Sequence, residues 1–364
     1  MTAAPEEAPG VARALSFSHT GAVVLRPAVL PLAVAVLLLC AATALALLAG
    51  PVRVPPGAVG SILLARLTGI HLGTWPAEAD QIVWQIRAPR VLLAGMVGAT
   101  LATTGAAYQG VFRNPLAEPY LIGVAAGAGL GATIVLVSPL SGAWHGLSLV
   151  TPAAFLGAMA AVLVAVAVSR ATRLTSGAGL VLAGVAVAAM GNALTSFLLT
   201  MHNTRLASVF AWLMGGFTAS TWSRAGLLAL YALPCLFILV MHARLLNVLL
   251  LDDEQARYLG VHVERVRLIV LVAASLAAAA AVSVSGLIGF VGLIVPHIAR
   301  RIVGPDHRRL LPLVLVGGAT LLILADLVAR TAVAPSEMPV GIVTAFLGGP
   351  FFLYLLWRGR RVTW

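Results

Sequence analysis

Apolar positions in this chain come in long unbroken runs rather than in alternating or striped patterns. The runs fall at 27–49, 88–110, 119–138, 150–169, 178–201, 224–243, 266–285, 287–303, 310–332 and 340–358. Each is close to the roughly 20 residues that an α-helix, rising about 1.5 Å per residue, needs to cross a hydrocarbon layer. The pattern predicts an all-α polytopic membrane protein with about ten transmembrane helices. The first run is too long and begins too far into the chain for a cleaved signal, so it is expected to be retained. Residues 1–26 are small and polar and read as a mobile cytoplasmic tail, 27–358 as one transmembrane domain, and 359–364 as a short second tail.

Composition agrees: 60% of the 364 residues are hydrophobic and only 10% are charged, with a mean hydropathy of +1.02, outside the range of soluble domains. All 23 basic residues are Arg, and there is no Lys. A phosphate loop needs a Lys to reach the terminal phosphates, so work driven by ATP must come from another polypeptide. The net charge of +11 is explained by Arg beside anionic headgroups, without nucleic acid. Cys40 and Cys235 lie in apolar runs, where neither a disulfide nor a metal site is expected. An even number of spans puts both termini on one side. Sixteen of the 23 Arg fall on the termini's side and seven (Arg53, Arg66, Arg87, Arg90, Arg205, Arg224, Arg330) on the other, which predicts cytoplasmic termini.

The segment 244–267 breaks the apolar texture with eight charged residues, Arg244, Asp252, Asp253, Glu254, Arg257, Glu264, Arg265 and Arg267. Carboxylates at 252–254 suit the first turn of a helix and Gly260 suits its end. A helix over 252–259 would be about 12 Å long, too short to span. It reads either as a receiver of a push from a soluble partner or as an ordinary solvated loop.

Several longer strings occur in one order: QIRAPR (85–90), GAAYQGVFRNPLAEPYLIGVAAGAGLGA (105–132), WLMGGF (212–217), LLLDDEQARYLGV (249–261), SGLIGFVGLIVPHIARRIVGPDHRRLLP (285–312), ADLVAR (325–330) and EMPVGIVTAFLGGPFFLYLL (337–356). Together they resemble the FecCD-type permeases of bacterial ABC importers for iron-siderophore, haem or cobalamin. The resemblance implies a homodimeric permease of ten helices per subunit in the bacterial inner membrane. Its implied partners are two cytoplasmic ATP-binding subunits and an extracytoplasmic substrate-binding protein, besides membrane lipid. No cofactor is then expected on this chain; ATP and magnesium would sit on the ATPase. By the same resemblance Asp252, Asp253, Glu254, Gln255, Ala256, Arg257, Tyr258, Leu259 and Gly260 couple to the ATPase, and Arg87, Arg90 and Arg330 dock the binding protein. Asp252 departs from the Gly often found there.

Read by themselves, those three Arg could equally snorkel at the membrane interface. Asp326 precedes Arg330 by one turn and reads as its structural ion-pair partner. His297 lacks neighbouring ligands for a metal and reads as a structural hydrogen-bonder, and Glu118 as the pin of a short cytoplasmic loop. The glycines of the spans read as close-packing positions. Siderophore-bound iron is the first expected cargo, then cobalamin or haem; WLMGGF leans toward the cobalamin permeases. An ion-coupled secondary transporter is the competing class, but it would call for acidic residues near the midplane, where Asp326 alone qualifies. An intramembrane enzyme would need a zinc or nucleophile motif, which is missing.

Overall fold

The computed structural model describes residues 29–71, 73–139, 143–144, 147–171 and 177–358; the two tails expected at 1–26 and 359–364 lie outside them. The described chain is helical: α1 (Val29–Leu48), α2 (Pro56–Thr68), α3 (Ala77–Asp80), α4 (Ala88–Phe112), α5 (Val124–Val137), α6 (Val150–Ala171), α7 (Gly177–Met201), α8 (Leu206–Leu213), α9 (Trp222–Met241), α10 (Ala243–Leu249), α11 (Asp253–Tyr258), α12 (Val263–Ser285), α13 (Val291–Val303), α14 (His307–Thr331) and α15 (Val340–Arg358). One antiparallel pair of two-residue strands, β1 (Ala143–Trp144) with β2 (Leu147–Ser148), joins α5 to α6. Eight helices are long and apolar enough to cross a membrane; with the shorter α5 and α13 they account for the ten apolar runs.

α4 is the centre of the bundle. All but Leu92, Met96 and Phe112 of its residues are buried, and α14, α12, α13 and α9 pack along it. It lacks an apolar stripe because it has no lipid-facing side, and small residues let its neighbours close in. A Cβ on Gly105 would stand 2.1 Å from the Gly292 carbonyl oxygen, and one on Gly98 2.2 Å from that of Gly318. The close-packing reading of the glycines holds at both crossings. Polar residues on α4 find partners across the same contacts: Tyr108 Oη lies 2.7 Å from Ser275 Oγ on α12.

Element boundaries differ from the apolar runs where backbone chemistry intervenes. Pro89 suits a helix start, yet the helix runs back without interruption through a π-helical segment, Gln81–Arg87, to α3. Proline lacks an N–H and crowds the carbonyl four residues earlier; the wider π turn accommodates both faults. The run expected at 119–138 opens with a 3-10 turn, Pro119–Ile122, and the run at 287–303 becomes helical only at Val291. At about 20 Å each, α5 and α13 fall short of the roughly 30 Å core. Their non-helical approaches meet each other inside the protein, which is where irregular backbone is tolerated at membrane depth.

Candidate functional site

Two clusters carry most of the charge, one at each end of the bundle; the end bearing α10 and α11 is called inner and the other outer. At the inner end α11 is six residues long, about 9 Å, with Asp252 as its N-cap residue and Leu259 at its C-cap. Asp252 makes no side-chain cap bond, and Asp253 and Glu254 supply the negative charge of the first turn. Gly260, at φ +76°, donates its N–H to Arg257 O (2.9 Å) while Val261 N–H reaches Ala256 O (3.2 Å), a left-handed termination that favours glycine. The expected helix over 252–259 is therefore present, with its two outer residues acting as caps.

The nine residues of this segment divide by what they touch. Ala256 is fully buried and seats the helix. Asp253 turns back into the bundle, accepting from Arg113 at the end of α4 and from Arg267 of α12 at 3.2 Å. Arg113 in turn donates Nε–H to Leu249 O (2.7 Å). Burial opposes ionisation of Asp253, but the two guanidinium groups hold its carboxyl below the ordinary carboxylate range. Arg257 pairs with Glu264 at 2.5 Å on the surface, and Tyr258 Oη donates to Glu254 at 3.3 Å. Tyr258 (82% exposed) and Leu259 (63%) project from the helix, with Leu251 exposed beside them. The inner end thus presents an apolar patch next to Glu254, Gln255 and Arg257. The exposed face of the segment mixes charged and polar Asp252, Glu254, Gln255 and Arg257 with Tyr258 and Leu259; Leu251, which extends the apolar part, lies outside the residues expected from sequence.

α10, also missed, ties the same segment to α14. Asn247 donates Nδ2–H to Asp306 (2.6 Å) and its oxygen accepts from His307 N–H (2.8 Å). Asp306 accepts from Arg308 N–H (2.9 Å) as the helix cap. Burial works against the Asp306 charge, but the Arg308 backbone N–H and Asn247 lower its carboxyl below the usual range.

At the outer end Arg87, Arg90 and Arg330 converge, each buried to 3%, 6% and 2% exposure. Arg87 donates to the carbonyls of Leu47 (2.8 Å), Leu48 (2.9 Å) and Val52, and Arg330 donates to Ala46 O. Those of Ala46, Leu47 and Leu48 are orphan carbonyls at the C-terminus of α1, where cations are favoured by the helix dipole, and Val52 follows in the loop after it. Arg90 clamps two carboxylates: Nε and Nη2 on Asp326 (2.8–3.0 Å) and Nη1 on Glu337 (2.9 Å). The expected Asp326–Arg330 pair exists at 3.7 Å, but Arg90 is the stronger partner. Asp326 is thus structurally paired, and the three Arg come together with their donors directed into the chain.

Two further residues were read from sequence. His297 Nε2 accepts from Arg301 Nε (3.2 Å), and its ring meets Phe351 edge-on at 5.6 Å, a structural bonding pattern. No group of three His, Cys, Asp or Glu able to hold a metal occurs among the described residues. Glu118 does not face the inner surface as expected. Its carboxylate accepts from Phe290 N–H at 2.8 Å, just before α13, about 20 Å along that helix from its inner end. Phe290 has a φ of +67°, a costly conformation for a non-glycine, and Tyr120 Oη fixes the same turn by accepting from Ile288 N–H (3.1 Å). Gln109 completes the attachment by donating to Gly292 O (3.0 Å) and accepting from Arg300.

The model of the FecCD transport family matches residues 37–358. The chain is 44% identical to the cobalamin import system permease protein BtuC of Halobacterium salinarum over 83% of this chain and 80% of that protein. It is 41% identical to the hemin transport system permease protein HmuU of Yersinia pestis, over 84% and 92% respectively. Among solved structures, a metal-chelate type ABC transporter in an inward-facing conformation superposes with a TM-score of 0.77 at 32% identity, covering 90% of this chain and 98% of the other.

Proposed function

The chain belongs to the FecCD transport family, and on that premise we propose that it is the membrane-spanning permease of an ATP-driven importer for a metal chelate, with siderophore-bound iron the first cargo and cobalamin or haem next. Two copies would form the pathway, with two ATP-binding subunits at the inner end and a substrate-binding protein at the outer end. ATP and magnesium belong on the ATP-binding subunits. The inner end then faces the cytoplasm of a bacterial cell.

The observation that carries this reading is the construction of the inner segment. A short helix seated by Ala256 is strapped to α4 and α12 through Asp253, while α10 beside it is strapped to α14 through Asn247. An apolar patch at Tyr258, Leu259 and Leu251 points outward. A partner pressing on that patch moves three membrane helices together. Docking through Arg87, Arg90 and Arg330 is the corresponding proposal for the outer end. Since their donors are engaged within the chain, incoming carboxylates must share them with Asp326 or Glu337; Glu337, 29% exposed, is the accessible member.

The test is uptake of ferric siderophore, cobalamin and haem into proteoliposomes holding the permease, its ATPase and its binding protein. Uptake of one cargo is expected to require internal ATP and to survive collapse of proton and sodium gradients. Uptake without ATP that stops when a gradient is removed would instead establish the ion-coupled transporter.

A further inference from the structure

Of the seven outer-end arginines, Arg87, Arg90 and Arg330 are bonded inside the bundle, Arg66 pairs with Asp80 at 2.5 Å, and Arg53 and Arg205 stand in the open. Arg224 fits neither group. It lies in the first turn of α9 on the face that continues through Leu228 and Ala232, each 1% exposed. The strongly exposed side chains in the middle of that helix, Leu230, Leu233 and Phe237, are on the other face. Its guanidinium has no hydrogen-bond or ion-pair partner among the described residues.

It lines a half-open cavity of about 390 Å³ together with Arg90, Glu337, Ser208, Trp212 and Ser285. Among the described residues Glu337 is the only carboxylate on the wall, and both its oxygens are on Arg90 Nη1, at 3.0 and 2.9 Å. α12 ends here, and its terminal carbonyl at Ser285 accepts from Gly216 N–H at 2.8 Å. Arg224 is therefore a part-buried cation placed in the first turn of a helix, where the dipole already favours negative charge, with no hydrogen-bond or ion-pair partner for its guanidinium among the described residues. The volume sits at the small end of ligand pockets, roughly 300–1,000 Å³, which suits one carboxylate-bearing arm.

We propose that this outer cavity is a carboxylate-binding site in which Arg224 supplies the bidentate donor pair and the serine hydroxyls line the approach. The carboxylate arrives either on a small chelate or on an acidic side chain of a docked protein. The site does not depend on which cargo or which energy source the importer uses.

The test uses the full chain in nanodiscs with citrate as probe, read by calorimetry. Saturable citrate binding is expected, weakened about tenfold or more in Arg224→Gln, the loss of a charge-assisted hydrogen bond, and unchanged in Arg205→Gln. Equal binding by Arg224→Gln, or no saturable binding by the native chain, overturns the site. Should Arg224→Gln fail to fold, Arg224→Lys decides: it keeps the charge but loses the bidentate fork, so weaker calorimetric binding of citrate is expected, and binding equal to that of the native chain overturns the site. Capture of the binding protein separates the two sources of a site so established. Competition by citrate assigns it to an acidic side chain, and capture indifferent to citrate assigns it to a small carboxylate.

Discussion

A carboxylate buried to 1% exposure survives inside a membrane protein only if its charge is matched, and Asp326 is matched chiefly by a residue 236 positions away. Sequence spacing could nominate Arg330, because i,i+4 neighbours are legible in a helix, but it could not nominate Arg90, which reaches Asp326 through the crossing of α4 and α14. The geometry predicts a sharp asymmetry. Arg90→Ala leaves the buried Asp326 with only its longer contact to Arg330 and is expected to cost about 3–5 kcal/mol, whereas Arg90→Met with Asp326→Leu together costs much less than the two single losses summed. A double-mutant cycle on apparent stability in one detergent measures this; fully additive losses would show the two side chains to be uncoupled. Glu118 was misplaced for the same reason. NPLAEP reads locally as a loop, and only the fold brings it to Phe290. Glu118→Ala removes the acceptor of that N–H and is expected to cost about 1–3 kcal/mol, while Glu118→Gln, which keeps a carbonyl acceptor, recovers most of it in the same assay.

Helices long enough to span were readable from apolar length alone, and seven of the eight appear within a few residues of their runs, while the helix that ends at Phe112 begins at Ala77, well before its run at 88–110. The short elements α2, α8 and α10 were not, because each is under the length that makes a membrane run recognisable and their register is set by tertiary contacts. α11 was readable because its acidic start and glycine stop are local chemistry. Its attachment was not, and it is the attachment that makes two predictions. Ala256→Pro removes the N–H donated to Asp252 O at 2.9 Å and adds a ring clash, about 3 kcal/mol or more. The spans should still insert and loaded binding protein should still be captured, but import and stimulation of the ATPase should be lost; normal import would reduce the segment to a connector. The second concerns pH. The Asp253 carboxyl is held low by Arg113 and Arg267, so its contribution is fully present above the ordinary carboxylate pKa and disappears only as pH falls through the depressed value. Hydrogen exchange at Ala256 N–H should therefore stay slow through about pH 4 and quicken below it. Quickening at the ordinary value would show that the pair does not hold the helix.

At the scale of the whole molecule, charge is sorted by end, and that sorting was visible in the sequence before any contact was known. Arg113, Asp253, Arg267 and Asp306 meet at the inner end and Arg87, Arg90, Asp326, Glu337 and Arg330 at the outer, as alternating spans require. The fold adds that arginines are paired at both ends, Arg66, Arg87, Arg90 and Arg330 at the outer and Arg113, Arg257 and Arg267 at the inner, so the count of sixteen to seven keeps its direction. The excess favours the inner end remaining on the cytoplasmic side. The chain's two cysteines, Cys40 and Cys235, can be replaced by Ser and Ala to give a background for labelling. Single cysteines at Tyr258 of the inner patch and at Ile70 beyond α2, both exposed, then report the two ends. In intact cells a membrane-impermeant maleimide should label the position 70 variant and spare the position 258 variant, and permeabilisation should expose the latter. Labelling of position 258 from outside would invert the topology, and with it the assignment of the inner end to the ATPase.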